Sequence, residues 1–212
     1  MNTLDFSKQF AAQPLIAILR GVRPDEIVEI TNGIYEAGIR IVEVPLNSPQ
    51  PLQSIAKLTE FAGMMIYGAG TVLRPDDVRN VAAAGGQISV SPHTDEQLID
   101  MALQAGMTPV PGFSTPTEAF RALHSGAKFL KLFPASSYGP GHFKALKAVL
   151  PEHAVVIPVG GVGPAQIRDW WAAGARGFGL GSELYKPGMT AAEVRERAFS
   201  AVEALQAVRT ND

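Results

Sequence analysis

The sequence predicts an α/β fold, a (β/α)8 TIM barrel forming a single domain over residues 1–212, and three observations carry that expectation. A small residue followed by glycine recurs at Ala37-Gly38, Ala62-Gly63, Ala84-Gly85, Ala105-Gly106, Ser125-Gly126 and Ala173-Gly174. The spacing is about 20 to 25 residues, or twice that, which accommodates one helix and one strand. Each pair closes a helical pattern and precedes a short run of β-formers, as expected where glycine takes the left-handed position just after a helix. Helix-start signals alternate with these stops.

Eight strands follow from that alternation: residues 15–20, 39–46, 65–72, 87–91, 108–112, 128–133, 155–160 and 177–181, each followed by a helix. Ser48-Pro49, Thr115-Pro116 and Gly163-Pro164 place proline in the first turn of a helix, and Thr94 with Gln97 and Thr190 with Glu193 match capping boxes. A helical crossover returns the chain to the same end of the sheet, so the strands pair in parallel, and eight such units commonly close into a barrel. A doubly wound open sheet shares the alternation, but no Gly-x-Gly-x-x-Gly fingerprint follows the first strand.

Composition narrows the function. With 18 basic and 20 acidic residues the formal charge is −2, which gives no global field to attract nucleic acid or an anionic membrane. Cysteine is absent, so there is no disulfide framework, thiolate nucleophile or cysteine metal site. The N-terminus has no basic segment leading into an apolar one, and a cytoplasmic protein is expected. The longest apolar runs, such as residues 154–159, fall far short of the roughly 20 residues that cross a bilayer. His93, His124, His142 and His153 are scattered without metal-site spacing, and neither metal nor organic cofactor is expected. His93 alone, just past the fourth strand, has a place from which it could line a pocket.

Catalytic groups of a barrel lie at the C-terminal ends of its strands. Counting with period two groups Ile16, Ile18 and Arg20 on one face, Ile41, Glu43 and Pro45 on another, Tyr67, Ala69 and Thr71 on a third, and Phe129, Lys131 and Phe133 on a fourth. Arg20, Glu43, Thr71 and Lys131 can then all face the interior. Lys131 has no polar neighbour within two residues, and an apolar pocket lowers the pKa of a lysine until free amine is present to attack a carbonyl. It could instead reach solvent past an apolar stem, or pair with Glu43 for structure alone. Glu43, set in an apolar strand, should have its pKa raised towards the range of general acid/base work, or else serve as a buried partner of Arg20 or Lys131. Together an inward amine and an inward carboxyl favour carbonyl chemistry. Glycine-rich turns at residues 159–164 and 180–182 expose backbone amides where many barrels hold a phosphate. Arg20 could grip a carboxylate, with Thr71 donating a hydroxyl.

Six segments in this order then resemble one family: Ile18-Leu19-Arg20-Gly21, Ile41-Val42-Glu43-Val44, Gly68-Ala69-Gly70-Thr71-Val72, Val110-Pro111-Gly112, Lys131-Leu132-Phe133-Pro134-Ala135 and Pro158-Val159-Gly160-Gly161-Val162. The chain is similar over nearly its whole length to the class I bacterial aldolases for 2-keto-3-deoxy-6-phospho sugar acids, which include phosphogluconate and phosphogalactonate forms. The resemblance implies that Lys131 forms the Schiff base with pyruvate or the keto sugar acid and that Glu43 transfers protons. It also implies that Arg20 and Thr71 hold the keto-acid end, and that Gly160, Gly161, Val162, Gly181 and Ser182 hold the phosphate. It implies further a barrel, a homotrimer, and glyceraldehyde 3-phosphate as the second product.

Two departures point within the family. Leu46-Asn47-Ser48 stands where the phosphogluconate type carries Leu-Arg-Thr, and Val159 stands where that type has threonine; both look like the phosphogalactonate branch. Without the arginine, the carboxylate must rest more heavily on Arg20. A phosphogluconate or 4-hydroxy-2-oxoglutarate aldolase is the alternative within the family. Outside it, a phosphosugar isomerase or epimerase would keep the phosphate loops but use Glu43 without a covalent lysine, and a non-catalytic metabolite-binding barrel would bind without turnover.

Overall fold

The computed structural model describes residues 4–210. Strands β1 (Leu15–Ile18), β2 (Ile41–Pro45), β3 (Ile66–Gly70), β4 (Ile88–Val90) and β5 (Thr108–Val110) lie in parallel in chain order, and β1 also pairs with the last strand, β9 (Phe178–Leu180). A second parallel sheet joins β6 (Gly112–Phe113), β7 (Phe129–Leu132) and β8 (Val155–Pro158). The fifth predicted strand is thus split between the two sheets at Pro111, which has no N–H to donate to a ladder but whose carbonyl accepts from Lys131 N at 2.8 Å. A single parallel bridge, Val159 to Gly179, links β8 with β9. The result is an α/β fold of parallel strands in a curled sheet. The described strands fall within the predicted ranges except β6, which runs one residue past the predicted fifth strand to Phe113.

Helices α2 (Ile27–Glu36), α3 (Pro51–Lys57), α4 (Pro75–Ala83), α5 (Glu96–Gln104), α6 (Pro116–His124), α7 (Ala135–Lys147), α8 (Pro164–Ala172) and α9 (Ala191–Arg209) follow the strands. The six predicted stop glycines all have left-handed φ values, from 72° at Gly106 to 102° at Gly38 and Gly174. The capping boxes at Thr115/Glu118 and Thr190/Glu193 form. Two predicted starts are displaced. Asp95, not Thr94, caps α5 by accepting from Gln97 N and Leu98 N, because the Thr94 hydroxyl is turned away to the Gly112 and Glu118 carbonyls. Helix α3 begins at Pro51 rather than Pro49, after Gln50 in a left-handed conformation. No helix among the described residues is long and apolar enough to cross a membrane.

Alternation along the strands divides the apolar residues into two groups. Leu15, Ala17, Val42, Val44, Leu130, Leu132, Val156, Phe178 and Leu180 face the helices. Ile16, Ile18, Ile41, Ile66, Ile88, Val110, Phe129 and Ile157 fill the inner face of the sheets. An additional helix, α1 (Phe6–Ala12), precedes the first strand, where the sequence reading placed none. It carries Phe6 and Phe10 into the inner cluster, with ring centroids 4.6 and 5.4 Å from that of Phe129. Glycine at 177 makes room: a Cβ there would collide with the Phe10 ring. The inner face is thereby closed at the N-terminal ends of the strands, and access to it is left at the C-terminal ends.

Truncating such a ring removes buried area and leaves a cavity. Phe10→Ala should therefore cost about 3 kcal/mol or more in urea unfolding, and unchanged stability would mean that α1 is only an appendage.

Candidate active site

Strand alternation sends Ile16, Ile18 and then Arg20 inward from β1, Ile41 and Glu43 from β2, and Phe129 and Lys131 from β7. Lys131 and Glu43 are only 4% and 1% exposed, and they are the charged residues of the core. Burial pushes the Lys131 amine below its usual value; the Glu43 carboxylate partly opposes this and the Arg20 cation adds to it. Burial likewise pushes the Glu43 carboxyl up, to about 6, although the Lys131 and Arg20 charges both pull it down. Oε2 of Glu43 has no hydrogen-bond partner among the described residues. The Lys131 Nζ sits 4.8 Å from the centre of the Phe133 ring.

Thr71 reaches the site by a different route from the one predicted. Tyr67 and Ala69 belong to the helix-facing core, and the inner face of β3 is formed by Ile66, Gly68 and Gly70. Continued alternation would therefore turn Thr71 outward. Instead its φ is +55°, a left-handed conformation that it shares only with Gln50 among the described non-glycine residues. This turn is unfavourable for a residue with a Cβ, and it brings the Thr71 hydroxyl to 3.5 Å from Nη2 of Arg20. Asn47, beyond the end of β2, accepts from Nη1 of the same guanidinium at 2.6 Å. Beside it the Ser48 hydroxyl accepts from Gly21 N at 2.9 Å. The β1 and β2 loops are thus tied together, and Arg20 is held from two sides.

Glycine on β3 is required by the carboxyl itself. A Cβ at Gly70 would collide with the Glu43 carboxyl group, and one at Gly68 would collide with the backbone of Ile88.

A cavity of about 540 Å³ opens above this pair, and Arg20, Thr71, Lys131, Gly160, Gly161, Gly181 and Ser182 all line it. Glu43 is buried beneath it, and Val162 does not line it: the Val162 side chain is 1% exposed in the helix-facing core, so only its backbone could face a ligand. Gly160 and Gly161 have φ values of 98° and 70°, which turn the chain sharply after β8. The amides of Gly161 and Ser182 donate to no protein acceptor among the described residues. His93 is exposed, and Pro92 lines the cavity in its place. The sequence reading also missed Phe133, Glu183, Tyr185, Lys186 and Pro187 on the cavity wall. The last four directly follow Ser182, so extending the strand-end rule by one loop length would have found them.

An α/β fold that places a poorly hydrated amine and a raised carboxyl beneath an open cavity is built for chemistry at a carbonyl. Comparison with known proteins makes the class specific. Residues 7–198 match the family model "KDPG and KHG aldolase". The chain is 46% identical over 192 residues to the 2-dehydro-3-deoxy-6-phosphogalactonate aldolase of Escherichia coli K12, covering 90% of this chain and 94% of the relative. It is also 46% identical over 198 residues to a probable enzyme of the same name in Rhizobium meliloti, covering 92% and 93%. A solved structure described as native KDPGal superposes with a TM-score of 0.91 at 44% identity, covering 93% of this chain and 96% of that one. The chain belongs to the KDPG and KHG aldolase family, and it is a carbon–carbon lyase of class I, not an isomerase or a passive binding protein.

The shift at Glu43 has a consequence for stability. Its carboxyl titrates near 6 in the folded chain against 4.5 in the unfolded one, so the unfolded state loses its proton first as pH rises. Stability from this group is complete below the unfolded value and is lost as pH rises through 6, by about 2 kcal/mol. Urea unfolding at pH 4.5 and 7.5 should show Glu43→Gln gaining on the parent by that order between the two, and an unchanging difference would contradict the buried-carboxyl assignment.

Proposed function

We propose that this single-domain chain cleaves 2-dehydro-3-deoxy-6-phosphogalactonate to pyruvate and glyceraldehyde 3-phosphate through a Schiff base on Lys131. The observation that carries the proposal is the burial of Lys131 beside Glu43 on the floor of the cavity. Free Lys131 amine attacks the C2 ketone, and loss of water from the resulting carbinolamine gives an iminium, with Glu43 moving the protons. The Glu43 carboxylate then takes the proton of the C4 hydroxyl. The C3–C4 bond breaks, the aldehyde leaves, and the bonding electrons pass to the iminium to form an enamine. Protonation at C3 and hydrolysis release pyruvate and return the amine. No metal or organic cofactor enters these steps.

Arg20, with Thr71, holds the keto-acid carboxylate. Asn47 is a positioning residue, holding the guanidinium from behind rather than touching substrate. The backbone at Gly160, Gly161, Val162, Gly181 and Ser182 takes the phosphate. The galactonate epimer is favoured over the gluconate form by Asn47 and Val159 and by the names of the two relatives at 46% identity. We further propose that the two sheets together make the eight-stranded barrel, with β5 and β6 as one strand interrupted at Pro111 and the Val159–Gly179 bridge as the seam. A cytoplasmic homotrimer completes the reading.

Borohydride reduction in the presence of pyruvate should add one irreversible pyruvate-derived mass at Lys131. Label at another residue, or activity surviving in Lys131→Met, would reject the mechanism. Glu43→Gln should lose on the order of 10² to 10⁴ in turnover. Asn47→Ala should raise the KM for pyruvate in the condensation direction by roughly tenfold, the effect of losing a hydrogen bond to a charged group, while kcat changes little. Rates on the two epimeric substrates measured side by side decide the epimer, and equality or a gluconate preference would reject the galactonate assignment.

A further inference from the structure

The phosphate end of the cavity is lined by neutral backbone; Arg197, which donates to the Ser182 and Glu183 carbonyls at 3.4 and 3.5 Å, stands outside the lining. Gly160, Gly161, Gly181 and Ser182 carry no charge, and a carboxylate side chain lies against the nearest helix N-terminus. A Cβ built on Gly163, the N-cap of α8, would lie 2.9 Å from Cβ and Cγ of Glu183 and 3.4 Å from its Oε2. The Glu183 side chain therefore runs across that helix end, and its carboxylate lies on the side of the cavity where a second anion must bind. A phosphate dianion beside a carboxylate is repelled unless a cation stands between or opposite them.

Among the described residues three cations line the cavity: Arg20, Lys131 and Lys186. The first two serve the keto-acid end. Lys186 belongs to the loop that follows β9, four residues beyond Ser182, and both of its chain neighbours are fixed. Tyr185 is 2% exposed, and its hydroxyl donates to Oε1 of Glu26 at 2.9 Å. Pro187 packs against Gly21, where an added Cβ would lie 2.6 Å from Cγ of the proline ring. The Lys186 amide itself donates to Sδ of Met189 at 3.2 Å. The backbone that carries Lys186 is thus pinned against the β1 loop, and Lys186 stands exposed on the cavity wall.

We propose that Lys186 is a specificity-determining residue that recognises the substrate's phosphate dianion, offsetting Glu183 and setting the preference for phosphorylated over unphosphorylated keto sugar acids. This rests on the aldolase reading of the same site. A lysine suits the task because it acts as a point charge that needs no fixed geometry, whereas the glycine amides supply direction.

The test compares kcat/KM of the full-length enzyme and of Lys186→Gln and Lys186→Arg on the 6-phosphorylated substrate and on its unphosphorylated counterpart. Pyruvate trapping by borohydride serves as a probe that needs no phosphate. The expected result is a fall on the order of tenfold or more for the phosphorylated substrate in Lys186→Gln, carried by KM. The unphosphorylated compound should change by less than about twofold, and Lys186→Arg should recover most of the loss. An equal fall for both compounds, or no fall for either, overturns the role of Lys186 while leaving the aldolase reading intact, provided that pyruvate is still trapped at Lys131. Absence of trapping in the parent enzyme overturns the aldolase reading and this inference with it.

Discussion

Taking an amine and a carboxyl out of water together is costly for each of them, and the site is organised around that cost. Burial works against charge on both Lys131 and Glu43, while each of the two, when charged, favours charge on the other. Arg20 breaks this symmetry. Its permanent charge lowers the pKa of both groups, so it favours the carboxylate at Glu43 and the free amine at Lys131 at once. In the proposed mechanism that combination is a base beside a nucleophile, the state from which carbonyl attack begins. In the proposed mechanism the charge of Arg20 therefore bears on catalysis, while its anchoring by Asn47 and Thr71 bears on carboxylate binding.

The fold provides space for this pair by leaving side chains out. Gly70 has no Cβ because the Glu43 carboxyl occupies that volume, and Gly68 has none because Ile88 comes too close. At the other end of the strands, Phe6 and Phe10 pack on Phe129 and exclude water from below. The low-dielectric surroundings that shift both groups thus come from α1 and from the inner isoleucines, while the open end provides the cavity. Thr71 bears backbone strain at the junction between the two, as residues at functional sites often do.

Much of this arrangement was legible in the sequence. The small-residue and glycine pairs marked the helix ends because left-handed φ is a local requirement, and the lysine and glutamate stood out because charge inside an apolar strand is conspicuous. The facing of β3 was misread because its inner positions are glycines: Tyr67 and Ala69 looked like the buried face, and nothing in the strand itself reveals that neighbours fill the inner side. Thr71 arrived where expected only because its backbone departs from the strand. The α5 cap went to Asp95 because Thr94 had distant carbonyl partners. The Asn47 contact with Arg20 spans 27 residues, and the placing of Lys186 depends on Tyr185 reaching Glu26 across 159; neither leaves a local pattern to read.

The central claim is that burial lowers the proton affinity of the Lys131 amine, and the most direct measurement is its own titration, followed by 15N NMR of selectively labelled lysine assigned with Lys131→Met. The account predicts a midpoint clearly below the 10.5 of an ordinary lysine, falling further in Glu43→Gln because the opposing carboxylate is gone. A midpoint at or above the ordinary value would contradict it.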